Sequence, residues 1–461
     1  MATVELDVNK WAQQQFGECQ LGDLRRTRRL VRFAADVAAD PDATTPNQIE
    51  EWSDLKAAYG LIGEEDVTFD ALVGPHWEQT RQRKEGTWLI LSDTTEVNFG
   101  AGNPATGLGP LGQGLGRGFL LHSGLMIEPE TEEVIGLAGQ NIRYRKPVRK
   151  TESRTRRLAR DRESRVWGDL TKQIGPPPEG VRFVQVCDRG ADNFEVYCQM
   201  LLSRHDWVIR VARLNRVIWH EGREIPLSEY LPRLPLGGAY KLSYRSKDHG
   251  PRTAQLEVRF GLVGVPAPRQ KSPWLKKQGI THICMWVVEV REVKAPAGVK
   301  PLHWVLFTSL PVTTFDESRT VIAYYEKRPV VEDFHKSLKT GCRVEERQYE
   351  TSERLEAITG VLCVTAVRLL QLRSAARQTP ERAATEVVPS HWVKVLSVLR
   401  RRRPIVTVRD FYRQLAGLGG HLLRKCDGEP GWITLWRGFE KLHLAIRAID
   451  AYEKNPRRKC G

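Results

Sequence analysis

Asp93 and Asp188 each close a short apolar run, Thr87–Leu91 (TWLIL) followed by Ser92-Asp93, and Val181–Cys187 (VRFVQVC) followed by Asp188. Apolar runs of this length read as buried strands, and in open α/β sheets catalytic groups gather at the carboxyl ends of strands. A single Asp in such a place is commonly a turn or cap residue, so the pair gains meaning only with a third acid. That acid is Glu332, in the stretch Tyr325-Glu-Lys-Arg328-Pro-Val-Val-Glu332-Asp-Phe-His-Lys-Ser-Leu-Lys339. Tyr325, Arg328, Glu332 and Lys339 follow one another at spacings of three, four and seven, which on a regular helix is one face. A carboxylate flanked by two cations and a phenol suits a metal-binding acid beside groups that grip phosphates. Pro329 removes the backbone donor to Tyr325, so the helix is expected to kink or restart there while Glu332 and Lys339 stay aligned.

Three carboxylates of this kind fit two Mg²⁺ ions roughly 4 Å apart, with Mn²⁺ as a substitute, acting on a phosphodiester. Hard cations take oxygen ligands, and no covalent intermediate is then required.

The elements that must position these residues are legible as texture. Residues 1–75 read as a helical domain. In it the Leu21–Val37 stretch turns Leu24, Leu30, Val31 and Phe33 to a core and exposes Arg25, Arg26, Arg28, Arg29 and Arg32. Trp52, Leu55, Ala58, Tyr59 and Leu61 form a second apolar stripe. Residues 76–375 form the catalytic region: strands at Thr87–Leu91, Phe119–Ile127, Val134–Ala138, Val181–Cys187 and Trp207–Val211, with a helix over Leu158–Ile174. Strands mixed with helices indicate an α/β core. A β-rich insertion at about 214–312 separates Asp188 from Glu332, with strands at Ala254–Leu262, Ile283–Val293 and His303–Leu310. Helices return over Glu317–Lys339 and Glu353–Arg373, and residues 376–461 read as a helical C-terminal domain.

Composition bounds the partner. Seventy-one Lys and Arg stand against 56 Asp and Glu, a net charge of +15, which suits a polyanion because each neutralised phosphate releases counterions. The eight cysteines are scattered without a C-x-x-C pair, which argues against a zinc knuckle or a disulfide scaffold and for reduced, buried thiols in a cytoplasmic protein. The start, MATVELDVNK, carries no secretory signal, and no apolar stretch of spanning length occurs, so no membrane partner is expected. Gly107-Leu-Gly109-Pro-Leu-Gly112 spells a dinucleotide fingerprint, but Pro110 and the run on to Gly114, Gly116 and Gly118 make it a flexible loop between strands. Neither an H-x3-H zinc pattern nor a G-x-S-x-G nucleophile elbow is present. Arg154, Arg156, Arg157, Arg160, Arg162 and Arg165 either track DNA or pair with the acids between them.

Asp93-Thr-Thr-Glu, Cys187-Asp188-Arg-Gly-Ala-Asp192 and the Y-x2-R-x3-E-x6-K spacing at 325–339 resemble the DDE transposases of bacterial insertion sequences, in the YREK branch that includes the transposon-five type. The likeness also runs through Gly22-Asp-Leu-Arg25-Arg26-Thr27, His122-Ser123, Glu163-Ser164, Trp167, Trp304-Val-Leu-Phe-Thr-Ser-Leu-Pro311 and Ala366-Val-Arg-Leu-Leu-Gln-Leu372. The resemblance implies a ribonuclease-H-like mixed sheet with a β-rich insertion, flanked by helical N- and C-terminal domains. It implies that Asp93, Asp188 and Glu332 bind two Mg²⁺ ions, and that Tyr325, Arg328 and Lys339 contact phosphates at the transposon end. Trp304 corresponds to an aromatic that stacks on a flipped-out base during cleavage through a DNA hairpin. Arg210 takes a basic position near the site, and Arg25 and Arg26 fall in the domain that reads the end. His335 and Lys336 lie beside the active face and either contact DNA or point to solvent. The implied partners are terminal inverted repeats, target DNA and a second subunit in a synaptic homodimer, in a bacterial cytoplasm on the nucleoid. Pro329 stands where better-known members carry an aromatic, and residues 38–50 hold few basic groups, so end recognition differs in detail. A catalytically inactive DNA-binding derivative and another ribonuclease-H-like nuclease are the competing readings.

Overall fold

The computed structural model describes residues 7–112, 115–145, 163–246, 250–378, 380–401, 404–424, 427, 430 and 432–454. Arg154, Arg156, Arg157, Arg160, Arg162, Gly114, Cys426, Cys460 and the basic tail from 455 lie outside them, as does the 158–162 part of the expected helix.

Twelve strands among the described residues form one mixed sheet. Its first six strands are β1 (Gly86–Asn98), β2 (Gly109–Leu111), β3 (Gly116–Ile127), β4 (Val134–Arg143), β5 (Val181–Cys187) and β6 (Asp206–Arg210). β1 runs antiparallel to β3 and parallel to β5, β3 pairs antiparallel with β4, and β5 pairs parallel with β6. The order β4-β3-β1-β5-β6 is that of a ribonuclease-H-like sheet.

These strands are continuous apolar runs because both faces are covered. Side chains alternate across the pleat, so Leu89, Leu91, Val184 and Val186 enter one core while Ile90, Phe183 and Val181 enter another with the helix Val166–Ile174. The first core receives the long helix Ser352–Gln378 through Ile358, Val361 and Leu362, all fully buried. The run ending at Ser92 is only part of its strand. β1 continues to Asn98 because β3 keeps pairing with it as far as Asn98↔Gly118, beyond the last β5 partner, Ser92↔Cys187. The glycine-rich Gly107–Gly112 segment is not simply a loop: Gly109–Leu111 is an edge strand on β3, where Pro110 has no ladder donor to supply.

The β-rich segment comprises β7 (Val217–His220), β8 (Arg223–Pro226), β9 (Leu236–Ser246), β10 (Gly250–Pro266), β11 (His282–Val293) and β12 (His303–Thr308). It extends the same sheet, because β12 pairs with β6 through Leu306↔Arg210 and Phe307↔Ile209. Phe307 is fully buried at this seam, with its ring 6.4 Å from Tyr197. Phe307→Ala is expected to destabilise the chain by about 3–5 kcal/mol, read as a lower denaturant midpoint at unchanged slope.

The N-terminal region is helical: α1 (Val8–Phe16), α2 (Leu24–Ala39), α3 (Thr45–Gln48), α4 (Trp52–Ile62) and α5 (Phe69–Arg81). α2 starts at Asp23, whose carboxylate accepts from the Arg25 N–H at 2.8 Å. Leu24 and Trp52, expected in the apolar stripes, are 62% and 75% exposed. Each is the first residue of its helix and overhangs the end. Helices at Ser390–Arg400, Val408–Leu418 and Trp432–Lys454 enclose a separate apolar cluster built on Leu396, Phe411, Leu415 and Leu442. Five of the cysteines, at 19, 187, 198, 342 and 363, are buried free thiols, and Cys284 is exposed. Among the described residues no helix is long and apolar enough to cross a membrane.

Candidate active site

Two observations place Asp93 and Asp188 together. Their preceding residues are register partners across the parallel β1–β5 pair, Ser92 with Cys187. By the period of two, Asp93 follows Leu89 and Leu91, and Asp188 follows Val184 and Val186, onto the same face of the sheet. Asp188 caps the turn Arg189–Ala191, its Oδ1 accepting from the Gly190 N–H at 2.8 Å. Asp93 Oδ1 accepts from the Thr94 N–H at 2.9 Å. The nearby Asp192 has a different task. Its side chain is fully buried, accepts from the Tyr197 hydroxyl and the Ala212 N–H at 2.7 Å each, and pairs with Arg216 at 2.6 Å. It fastens the turn after β5 to the chain leaving β6.

Glu332 comes from above. The helix Phe315–Glu326, opened by a Thr314–Glu317 capping box, ends at Lys327, and a second helix, Pro329–Lys336, begins with Pro329 in its first turn. The restart expected at Pro329 is therefore present. Val331 and Phe334 of this second helix are fully buried in the core that Leu91 enters, and Glu332, between them in sequence, is tied to Asp93 through Arg328. Arg328, at the junction of the two helices, bridges them: one guanidinium nitrogen lies 3.4 Å from Asp93 Oδ2 and another 2.5 Å from Glu332 Oε1. Burial pulls the Arg328 pKa down, but Asp93 and Glu332 outweigh it and hold the value above the ordinary one. Burial pushes the Asp93 carboxyl up, and Asp188 and Glu332 add to this against Arg328 and the Thr94 N–H. Asp188 and Glu332 thus raise the cost of ionising Asp93, and a cation beside it relieves that cost.

Tyr325 is buried, with its ring 6.3 Å from Trp304. Trp304 is half-buried on β12 and shares a sheet face with Leu306, whose side chain is in the same core as Leu91. Arg210, at the end of β6, donates to the His303 carbonyl at 3.2 Å.

Three expectations change. The helix carrying Glu332 does not continue regularly to Lys339: it opens into a π turn at Ser337–Gly341, and Lys339 pairs with Glu345 at 3.0 Å. Glu345 also accepts from the Asn98 N–H at 2.9 Å, so it ties this turn to the end of β1. His335 does not point to solvent. It is 7% exposed beneath the helix, and burial, with Lys339 and Arg328 nearby, lowers its pKa to about 3, leaving it neutral. Lys336 is the exposed one, 3.6 Å from Asp333. Arg26 is also reassigned. It points away from the exposed basic stripe, bonding Asp66 at 2.9 Å, the Leu21 carbonyl at 3.1 Å and Glu64.

That stripe is Arg25, Arg28, Arg29 and Arg32, at spacings of three, one and three on α2, and it lines a groove closed by Ala57 and Ala58 of α4. Asp36 and Asp54 also line it, Asp54 3.6 Å from Arg32. The sequence pattern exposes these arginines; the wall supplied by α4 has no signal of its own.

Residues 8–67 match the family model for transposase DNA-binding domains, and residues 156–367 match the transposase DDE domain. The DDE match includes Asp188 and Glu332, and Asp93 precedes it. A solved structure similar to this chain is the piggyBac transposase synaptic complex with hairpin DNA. It shares 13% identity, with a TM-score of 0.35, covering 95% of this chain and 81% of that one.

Proposed function

We propose that this chain, which carries a transposase DNA-binding domain and a DDE transposase domain, is a cut-and-paste DNA transposase of the bacterial YREK branch. The observation that carries the reading is the Arg328 guanidinium held between Asp93 and Glu332, with Asp188 at the end of the strand that pairs with β1. An all-carboxylate set that already gathers a cation fits hard divalent ions, so Asp93, Asp188 and Glu332 would hold two Mg²⁺ or Mn²⁺. When bound, such ions polarise the scissile phosphate and stabilise the attacking and leaving oxygens. The protein's own groups do the rest. Arg328, Lys339 and Tyr325 orient the end phosphates, Lys336 and Arg210 supply positive charge at the rim, and Trp304 stacks on an unpaired base during hairpin formation. Stacking of this kind contributes roughly 1–3 kcal/mol per base. Two subunits would hold two ends, joined through the C-terminal helices.

The test uses the inverted repeats flanking the gene, placed on a plasmid with Mg²⁺ or Mn²⁺. Wild-type chain should cut at the ends and transfer them to target DNA, and Asp188→Ala should not. End binding without cutting by the wild type would replace this reading with that of an inactive DNA-binding derivative.

The groove on α2 would meet the DNA end. Replacing Arg28 and Arg29 with Ala should weaken end binding and flatten its logarithmic salt dependence by about 0.9 for each phosphate that is no longer neutralised. Arg26→Ala should leave that slope unchanged and loosen the N-terminal domain by about 1 kcal/mol or less, since its ion pairs are partly solvated. Filter binding across a salt series separates the two, and a slope change in Arg26→Ala would return that residue to the DNA.

A further inference from the structure

Far from the triad, three ionisable side chains from opposite ends of the chain meet, and the imidazole among them is left unsatisfied. Asp40 is the C-cap of α2 and only 6% exposed; Asp42 follows on the loop; His443 lies on the helix Trp432–Lys454 and is also 6% exposed. One ligand atom from each falls within 4.8 Å of the others. Both ring nitrogens of His443 are buried and, among the described residues, have no hydrogen-bond partner. An imidazole left in this state is costly, because burial takes it out of water and nothing replaces the lost hydrogen bonds. Its surroundings are aromatic, Trp392 at 4.8 Å and Phe439 at 6.0 Å, and its charged neighbours are Asp42 and Arg447.

The loop is anchored by Arg347, from the segment that follows the π turn. Arg347 donates to the Pro41 carbonyl at 2.9 Å and the Ala43 carbonyl at 2.8 Å, which fixes the turn that carries Asp40 and Asp42. Arg447, one helical turn after His443, reaches Asp40 Oδ2 at 2.5 Å. It neutralises one carboxylate only and leaves the imidazole without a partner. Burial raises the Asp40 carboxyl to about 6, and Asp42 adds to this.

We infer that Asp40, Asp42 and His443 form a second divalent-metal site, one that takes Zn²⁺ and staples the N-terminal domain to the C-terminal helix. The ligand set sets it apart from the triad. Carboxylates alone suit Mg²⁺ and Mn²⁺, whereas a neutral imidazole with carboxylates suits zinc. With ligand distances of about 2.0–2.2 Å, closing the shell takes side-chain shifts of about an ångström. The ion would satisfy a buried nitrogen and hold two like charges together, which neither Arg447 nor a shared proton does for all three groups.

The experiment is Zn²⁺ titration of the full chain in Asp188→Ala, where the triad is disabled, with elemental analysis after desalting. One equivalent of zinc per chain is expected, together with a rise in melting temperature, and X-ray absorption should show one imidazole nitrogen among oxygen ligands. His443→Gln should weaken zinc binding at least tenfold and abolish the thermal shift. Asp42→Asn, on a half-exposed loop residue, should do the same if His443→Gln folds poorly. The inference fails if Asp188→Ala holds no stoichiometric zinc. It also fails if zinc binding is unchanged in both site variants, since the ion would then sit elsewhere.

Discussion

Glu332→Gln is expected to lower end cleavage by roughly 10³-fold or more, about 4 kcal/mol of barrier, while end binding stays level or tightens slightly. The asymmetry follows from what the substitution removes. Glutamine keeps the shape and one acceptor oxygen but loses the charge that a divalent ion needs. With one acid fewer facing the scissile phosphate, DNA meets less repulsion. The fold should tolerate the change, because the Glu332 side chain is 42% exposed and its packing neighbours, Val331 and Phe334, are untouched. The missing pair with Arg328 is partly solvated and contributes no more than about 1 kcal/mol. Gel-shift and plasmid-cleavage assays on one preparation separate the two effects. Cleavage retained within tenfold would remove Glu332 from the site.

The sheet and two of its acids are legible in the sequence because buried parallel strands leave an unambiguous trace. Val181–Cys187 is apolar at almost every position since it is covered on both faces, and its strand has the bounds that the pattern implies. The apolar pattern stops short on β1 for the opposite reason. Beyond Ser92 the strand has a neighbour on one side only, its residues turn polar, and the signal ends while the pairing goes on. Pro329 is readable from backbone chemistry alone, because a missing donor has the same consequence in any context. The π turn at Ser337–Gly341 is not, since a widened turn depends on what holds it, here Lys339 with Glu345 and the end of β1.

Side-chain partners carry the least signal. Arg25 and Arg26 are adjacent basic residues on one helix, and only the positions of Glu64 and Asp66 make one a structural tie while the other is 84% exposed. His335 has charged neighbours in sequence, yet the amphipathic turn it shares with Val331 and Phe334 buries it. Asp40, Asp42 and His443 are brought together by packing between chain ends, which no local spacing announces.

Arg328→Met should separate metal binding from catalysis by moving them in opposite directions. In the DNA-free chain the guanidinium is the cation between Asp93 and Glu332, so a divalent ion entering there must displace it. The Arg328 and Asp93 side chains are 18% and 21% exposed, which makes the Asp93 contact, unlike the one with Glu332, stronger than an ordinary surface ion pair. Methionine keeps much of the apolar stem and removes the competitor. Mn²⁺ affinity without DNA, followed by electron paramagnetic resonance, should rise about tenfold, or about 1.4 kcal/mol. The titration belongs at about pH 8, well above the ordinary carboxylate range, because burial holds the Asp93 proton more tightly than usual and losing Arg328 tightens it further. Cleavage should fall by roughly 10²-fold in the same variant, because the donor that would move from the acids to the end phosphate is gone. A fall in Mn²⁺ affinity would mean that the guanidinium preorganises the carboxylates rather than competing for them. Arg328 would then be part of the resting metal site, and DNA would not be needed to draw it away.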